Sequence, residues 1–217
     1  MLGDELDAFR ASRARTLDMS ERLSQQQMDF APQPQKWSAG EVFDHLILAD
    51  RAYRGEISQL IELKRTGKKP YLSRSLADLN ASPAFIPRSM LPLFEFPLTL
   101  LGALLPRAAR DLMLRSRLFP ARNPDVATPR KGRPADEIRD DLCDSLAETE
   151  KLFRANPDID FRELIHSHPL LGVNNVPQIV RFMRMHEQRH QAQLDEILSD
   201  ADFPPGRARD EASAVRL

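Results

Sequence analysis

The chain has 217 residues, 31 basic and 32 acidic, with a formal net charge of −1. That length suits one domain with room for an insertion, and it suffices to bury a core. The near balance of charge leaves no overall field that would demand nucleic acid or an anionic membrane, and the single Cys143 excludes an internal disulfide framework. The opening MLGDELDAFRASRART lacks the apolar run of a signal peptide, so a cytoplasmic location is expected.

Leu6, Phe9, Leu17 and Leu23 lie among charges at loose helical spacing, which predicts a first amphipathic helix over 6–23. In SQQQMDFAPQPQK the periodicity is lost and Pro32 and Pro34 intervene, so a short helical turn and a loop follow. The second helix opens on WSAGE, where Ser38 and Glu41 have capping-box spacing. Its apolar positions run from Val42 and Phe43 to Ile61 and Leu63, ending near Thr66 and Gly67. His45 shares a face of this helix with Glu41, Leu48 and Ala49.

Residues 68–128 contain Pro70, Pro83, Pro87, Pro92, Pro97, Pro106, Pro120 and Pro124, a density that breaks regular structure into short pieces. Within them, MLPLFEFPLTLLGALLP carries Glu95 as its only charge, and Arg107, Arg110, Arg115 and Arg117 follow. A third helix is expected from about Pro134 to Phe153, with Ile138, Leu142, Leu146 and Leu152 on its buried stripe and Cys143 beside it as a small buried residue. Asn175 or Val176 then leads into Pro177 at the start of a fourth helix that reaches Leu198. No alternation supports a sheet, and no repeat or glycine-rich phosphate loop is present. The expected fold is therefore all-α: a four-helix bundle over 1–200, with a long Pro-rich crossover between helices two and three and a mobile tail over 201–217.

The chemistry concentrates in the fourth helix. In HEQRH, His186 and His190 are one turn apart, so both imidazoles can face one ion, and one or two further donors would complete a metal site. Glu187 completes a zinc-peptidase pattern and could serve as a general base, or it could be a solvated residue on the helix's outer side. Only 27 residues follow His190, much of that a polar tail, and the distant candidate for a third ligand, Glu211, lies in a segment with no apolar face to fix it, which argues against a peptidase. His45, on the capped second helix, is the better third ligand. Three protein ligands with open positions are the arrangement of a catalytic metal.

WSAGEVFDHLILAD resembles the W-S-x-x-E-x-x-x-H-L segment of the DinB-like superfamily, and HPLLG followed by HEQRHQAQ resembles its C-terminal half. The resemblance covers roughly residues 5–198 and skips the Pro-rich segment. It implies a four-helix bundle in which His45, His186 and His190 bind a divalent ion, nickel or zinc, with Gln193 supporting the site from behind a ligand. It also implies chemistry of the superfamily's kinds, namely S-transfer or isomerisation with a low-molecular-weight thiol, or metal-dependent hydrolysis. In its pattern His168 shapes the loop before the last helix or the rim of the site. His166 is expected to be exposed.

Three functional readings follow. The first is a metal-dependent enzyme acting on a small-molecule substrate, with the ion activating a small thiol or water. The second is a non-catalytic, metal-stabilised bundle that binds a small molecule or a partner. The third is contact with a membrane surface through the apolar and basic strip 90–117, a segment that serves equally as a lid over the pocket or a homodimer contact.

Overall fold

The structure is a computed structural model that describes residues 1–75, 82–83, 121–122, 125–168 and 172–205. Among the described residues the α-helices are α1 (Leu2–Glu21), α2 (Gln25–Met28), α3 (Ala39–Arg65), α4 (Ala135–Arg154) and α5 (Val176–Leu198). Short strands accompany them: β1 (Tyr71–Ser73), β2 (Ser82–Pro83), β3 (Ala121–Arg122), β4 (Ile165–His168) and β5 (Gly172–Asn175). The four long helices form the bundle, and α2 is the short turn expected between the first two. The apolar and basic strip from Met90 to Arg117, with its lid, dimer and membrane readings, lies outside the described residues.

α3 begins where its sequence signal puts it. Ser38 Oγ accepts the Glu41 backbone N–H at 3.1 Å, and the Glu41 carboxylate accepts the Ser38 N–H at 2.9 Å. Both donors are free at a helix start, so the two bonds satisfy them reciprocally. Replacing Ser38 with alanine is expected to lower stability by about 1 kcal/mol, read by urea denaturation. At the other end Gly67 takes a φ of 71°, the left-handed conformation that terminates the helix at little steric cost. α5 is capped in the same way, by Asn175 and Gln178, with Pro177 in its first turn.

α1 starts four residues earlier than its apolar spacing predicts, with Asp4 and Glu5 complementing the helix dipole in its first turn. Its spacing is loose because its buried face is mostly polar. Phe9, Ser12, Arg13, Thr16, Met19 and Ser20 all point inward.

Helix directions follow from pairs along the bundle. Arg13 bonds Glu187 and Arg15 bonds Asp195, so α1 and α5 run parallel. Asp50 bonds Ser145 and Arg54 bonds Thr149, so α3 and α4 also run parallel. Arg10 bonds Glu150 and Arg139 bonds the Ser20 carbonyl, which makes α1 and α4 antiparallel. A parallel α3 and α4 cannot be joined by a tight turn. The chain must retrace about 30 Å, the length of a 20-residue helix, and residues 66–134 do so.

The core is divided. Phe9, Ile57, Leu60, Phe153, Leu164, Val180 and Met183 belong to one apolar cluster; Met19, Val42, Phe43, Ile138, Leu142 and Leu194 belong to another. Between them lies a buried polar layer drawn from all four long helices. Arg13, wholly buried, donates to Glu187 and Asp50 at 2.6 Å each and to the Leu142 carbonyl at 3.1 Å. Asp50 also accepts from Ser145, and Arg54 donates to Ser145, Thr149 and Glu148. Gly40 lets α2 approach α3 closely, because a Cβ there would stand 3.1 Å from the Met28 carbonyl oxygen.

Several sequence expectations meet a different structure. A small sheet exists: β1 pairs parallel with β4, Tyr71 opposite Ile165, and β4 pairs antiparallel with β5, Ile165 opposite Asn175. Strands of three or four residues are too short to display an alternating pattern, and the partner of β1 is remote in sequence. Cys143 is exposed, because it sits one position past the buried Leu142, where the helix has already turned outward. His166 is 4% exposed and places Nε2 at 3.2 Å from Glu56 Oε2. The start of the tail is docked as well: Phe203 meets the ring of Phe30 edge-on at 5.3 Å, and the Pro204 carbonyl accepts from Gln27.

Candidate metal centre

His45 comes from the first turns of α3, and His186 and His190 from the middle of α5. Their Nε2 atoms converge: His186 Nε2 is 3.2 Å from that of His45 and 3.2 Å from that of His190. One ligand atom of each lies within 4.8 Å of the others. Among the described residues this is the one group of three histidine, cysteine or acidic side chains close enough to hold an ion.

The other ring nitrogens show what state the imidazoles are in. His45 Nδ1 lies 2.7 Å from the Ala127 carbonyl oxygen, which can only accept, so Nδ1 carries the hydrogen and the neutral ring leaves Nε2 bare. His190 Nδ1 lies 2.9 Å from the Gln193 carboxamide oxygen, with the same consequence. At most one hydrogen then remains among three nitrogens, so the cluster offers electron pairs rather than donors. A cation among them satisfies all three, and this donor set fits zinc or nickel.

Electrostatics favour the ligand state. Burial pushes the His45 pKa below its usual value, against the pull of the Ala127 carbonyl and of Asp44 and Asp50. His186 is pushed well below it by burial, then by His190 and His45. Neutral imidazole is the form that binds metal. Trp37, just before the α3 cap, packs its ring 4.9 Å from that of His45 and 6.3 Å from that of His190, closing one side of the cluster.

Glu187 is not solvated. It is 1% exposed, and its Oε1 accepts from Arg13 Nε at 2.6 Å and Thr16 Oγ1 at 2.7 Å. Burial, then Asp50, raises its pKa against the opposing pull of Arg13. Its Oε2 is buried without a hydrogen-bond donor among the described residues. The sequence signal for this partner was weak: an arginine in α1 reads as a surface charge until α5 is folded against it. His166 and His168 sit on β4 with ring centroids 6.2 Å apart, a separate pair that does not join the three-histidine group.

Sequence reasoning missed Asp44, Ala127, Arg130 and Arg133. Asp44, fully buried, accepts the Arg130 backbone N–H at 2.7 Å and the guanidinium of Arg133 at 2.8 Å. These bonds bind the end of the crossover to α3, one residue before a candidate ligand. A backbone carbonyl such as that of Ala127 leaves no trace in side-chain pattern, although Asp44 beside His45 was visible.

Fold and cluster together define a four-helix bundle carrying a three-histidine site able to hold a metal ion. A family model described as the DinB superfamily matches residues 8–194, and the chain belongs to that superfamily. No curated protein and no solved structure gives a significant match. No described helix is long and apolar enough to cross a membrane.

Proposed function

We propose that the protein is a metal-dependent enzyme in which His45, His186 and His190 hold a divalent ion that activates a small thiol or water brought in from outside. The observation that carries this reading is the convergence of three Nε2 atoms, with the Nδ1 positions of His45 and His190 engaged elsewhere. Three protein ligands leave coordination positions for a substrate atom. An ion there would supply Lewis acidity, lowering the pKa of a coordinated thiol or water.

The residues divide the remaining work. Ala127 and Gln193 orient two of the rings, and Trp37 shields one side of the cluster. Cys143, the only cysteine, is not part of the three-histidine group, so the thiol in this reading is a free small molecule. Glu187 is assigned to holding α5 against α1 rather than to acting as a base, because Arg13 and Thr16 occupy its Oε1.

One observation favours a second reading, a non-catalytic metal-stabilised bundle: the only carboxylate in the HEQRH motif is turned into the core. The two readings separate in an assay of chelator-stripped protein reloaded with nickel or zinc and offered small thiols with electrophiles, and activated esters. Turnover that requires the metal and vanishes in His45→Ala supports the enzyme. Turnover indifferent to both changes would sink it, and stoichiometric metal without turnover would favour the second reading.

A further inference from the structure

We propose that Asp44 is a positioning residue for the metal site, clamping the returning end of the crossover so that the Ala127 carbonyl holds His45 with Nδ1 protonated and Nε2 bare. This rests on the three-histidine reading. Asp44 precedes His45 by one residue, about 100° around the helix, and is not part of the histidine group. Its carboxylate is instead filled by the chain that leads from the crossover into α4. Oδ2 accepts the Arg130 backbone N–H at 2.7 Å, and Oδ1 accepts from the side chains of Arg133 at 2.8 Å and Arg130 at 3.1 Å.

The geometry makes this clamp matter to His45. Ala127 is 3% exposed and lies three residues before Arg130, in the 3-10 turn Asp125–Ala127. The other polar contacts described for this stretch lead elsewhere: Arg133 reaches Asp141 of α4, and its carbonyl accepts from Gln25 of α2. Beside the His45 bond itself and the packing of the turn on α3, Asp44 is thus the charged tie between this stretch and α3 at the level of His45. With its charge removed, the turn loses its anchor, the Ala127 carbonyl no longer fixes the ring, and His45 can place its hydrogen on Nε2, where it blocks the metal.

The test is Asp44→Asn, which keeps the shape and removes the charge. Cobalt(II) affinity is measured by calorimetric titration, and the His45 tautomer by side-chain 15N shifts in metal-free protein. Expected are cobalt binding weakened about 10- to 100-fold, the usual cost of losing an outer hydrogen-bond partner of a ligand, and a His45 ring shifted from the pure Nδ1–H form to a mixture. An Asp44 that served only stability would lower the melting temperature and leave both readouts at their wild-type values, which would overturn the proposal. Arg133→Gln removes the buried donor from the same clamp and gives the same two readouts if Asp44→Asn does not fold. Wild-type protein that binds no cobalt would overturn the metal reading itself, and the metal-free tautomer comparison would still decide the role of Asp44.

Discussion

Replacing His45 with alanine is expected to take the protein from near one divalent ion per chain to almost none. His186 and His190 would remain one turn apart on α5, but two imidazoles on a partly buried helix face hold an ion far more weakly than three. The loss should exceed the roughly 10- to 100-fold that follows removal of an outer hydrogen-bond partner, because a direct ligand is gone. Elemental analysis of wild type and variant, purified side by side, reads the content. Trp37, the only tryptophan and 4.9 Å from the His45 ring, gives an independent optical titration with cobalt(II). Alanine favours helix at a position such as His45, in the second turn of α3, so circular dichroism should show an intact bundle. Metal retained at wild-type content in the variant would mean that the ion, if any, is held without α3, and the three-histidine assignment would fall.

Arg13→Met is expected to destabilise the fold by about 3–5 kcal/mol, the cost of leaving buried carboxylates without their cation. Arg13 is wholly buried and is bonded at 2.6 Å to both Asp50 and Glu187. Burial works against its charge, and Asp50 and Glu187 outweigh burial and keep its pKa above the ordinary arginine value. Against a typical domain stability of roughly 5–15 kcal/mol the loss is large. Urea denaturation measures it. Adding Asp50→Asn and Glu187→Gln to Arg13→Met removes the stranded charges and should restore much of the stability. A single variant as stable as wild type would show that the layer is not electrostatically coupled. Because Glu187 is adjacent to His186, the same layer also fixes the rotation of α5 that brings His186 and His190 toward His45.

Much of this molecule was legible in its residues. The capping box at Ser38 and the proline at Pro177 are local chemistry, complete within a few residues, so the starts of α3 and α5 could be read without knowledge of the rest of the chain. The HxxxH spacing is likewise set by helix geometry alone. His45 could be named because motif order and spacing resemble those of the superfamily, to which the chain belongs.

What sequence alone determined, then, were the features whose cause lies within a turn or two of helix: the helices, the cap at Ser38 and the pairing of His186 with His190. Only the tertiary structure decided the features whose partners are distant in the chain. Glu187 lies next to a candidate ligand yet is turned inward by Arg13, which is 174 residues away. β1 becomes a strand because β4 offers a free edge, and His45 is oriented by a carbonyl 82 residues later. A charged residue and a backbone oxygen carry no intrinsic sign of being buried or paired. That sign appears only when packing removes water and leaves one partner within reach.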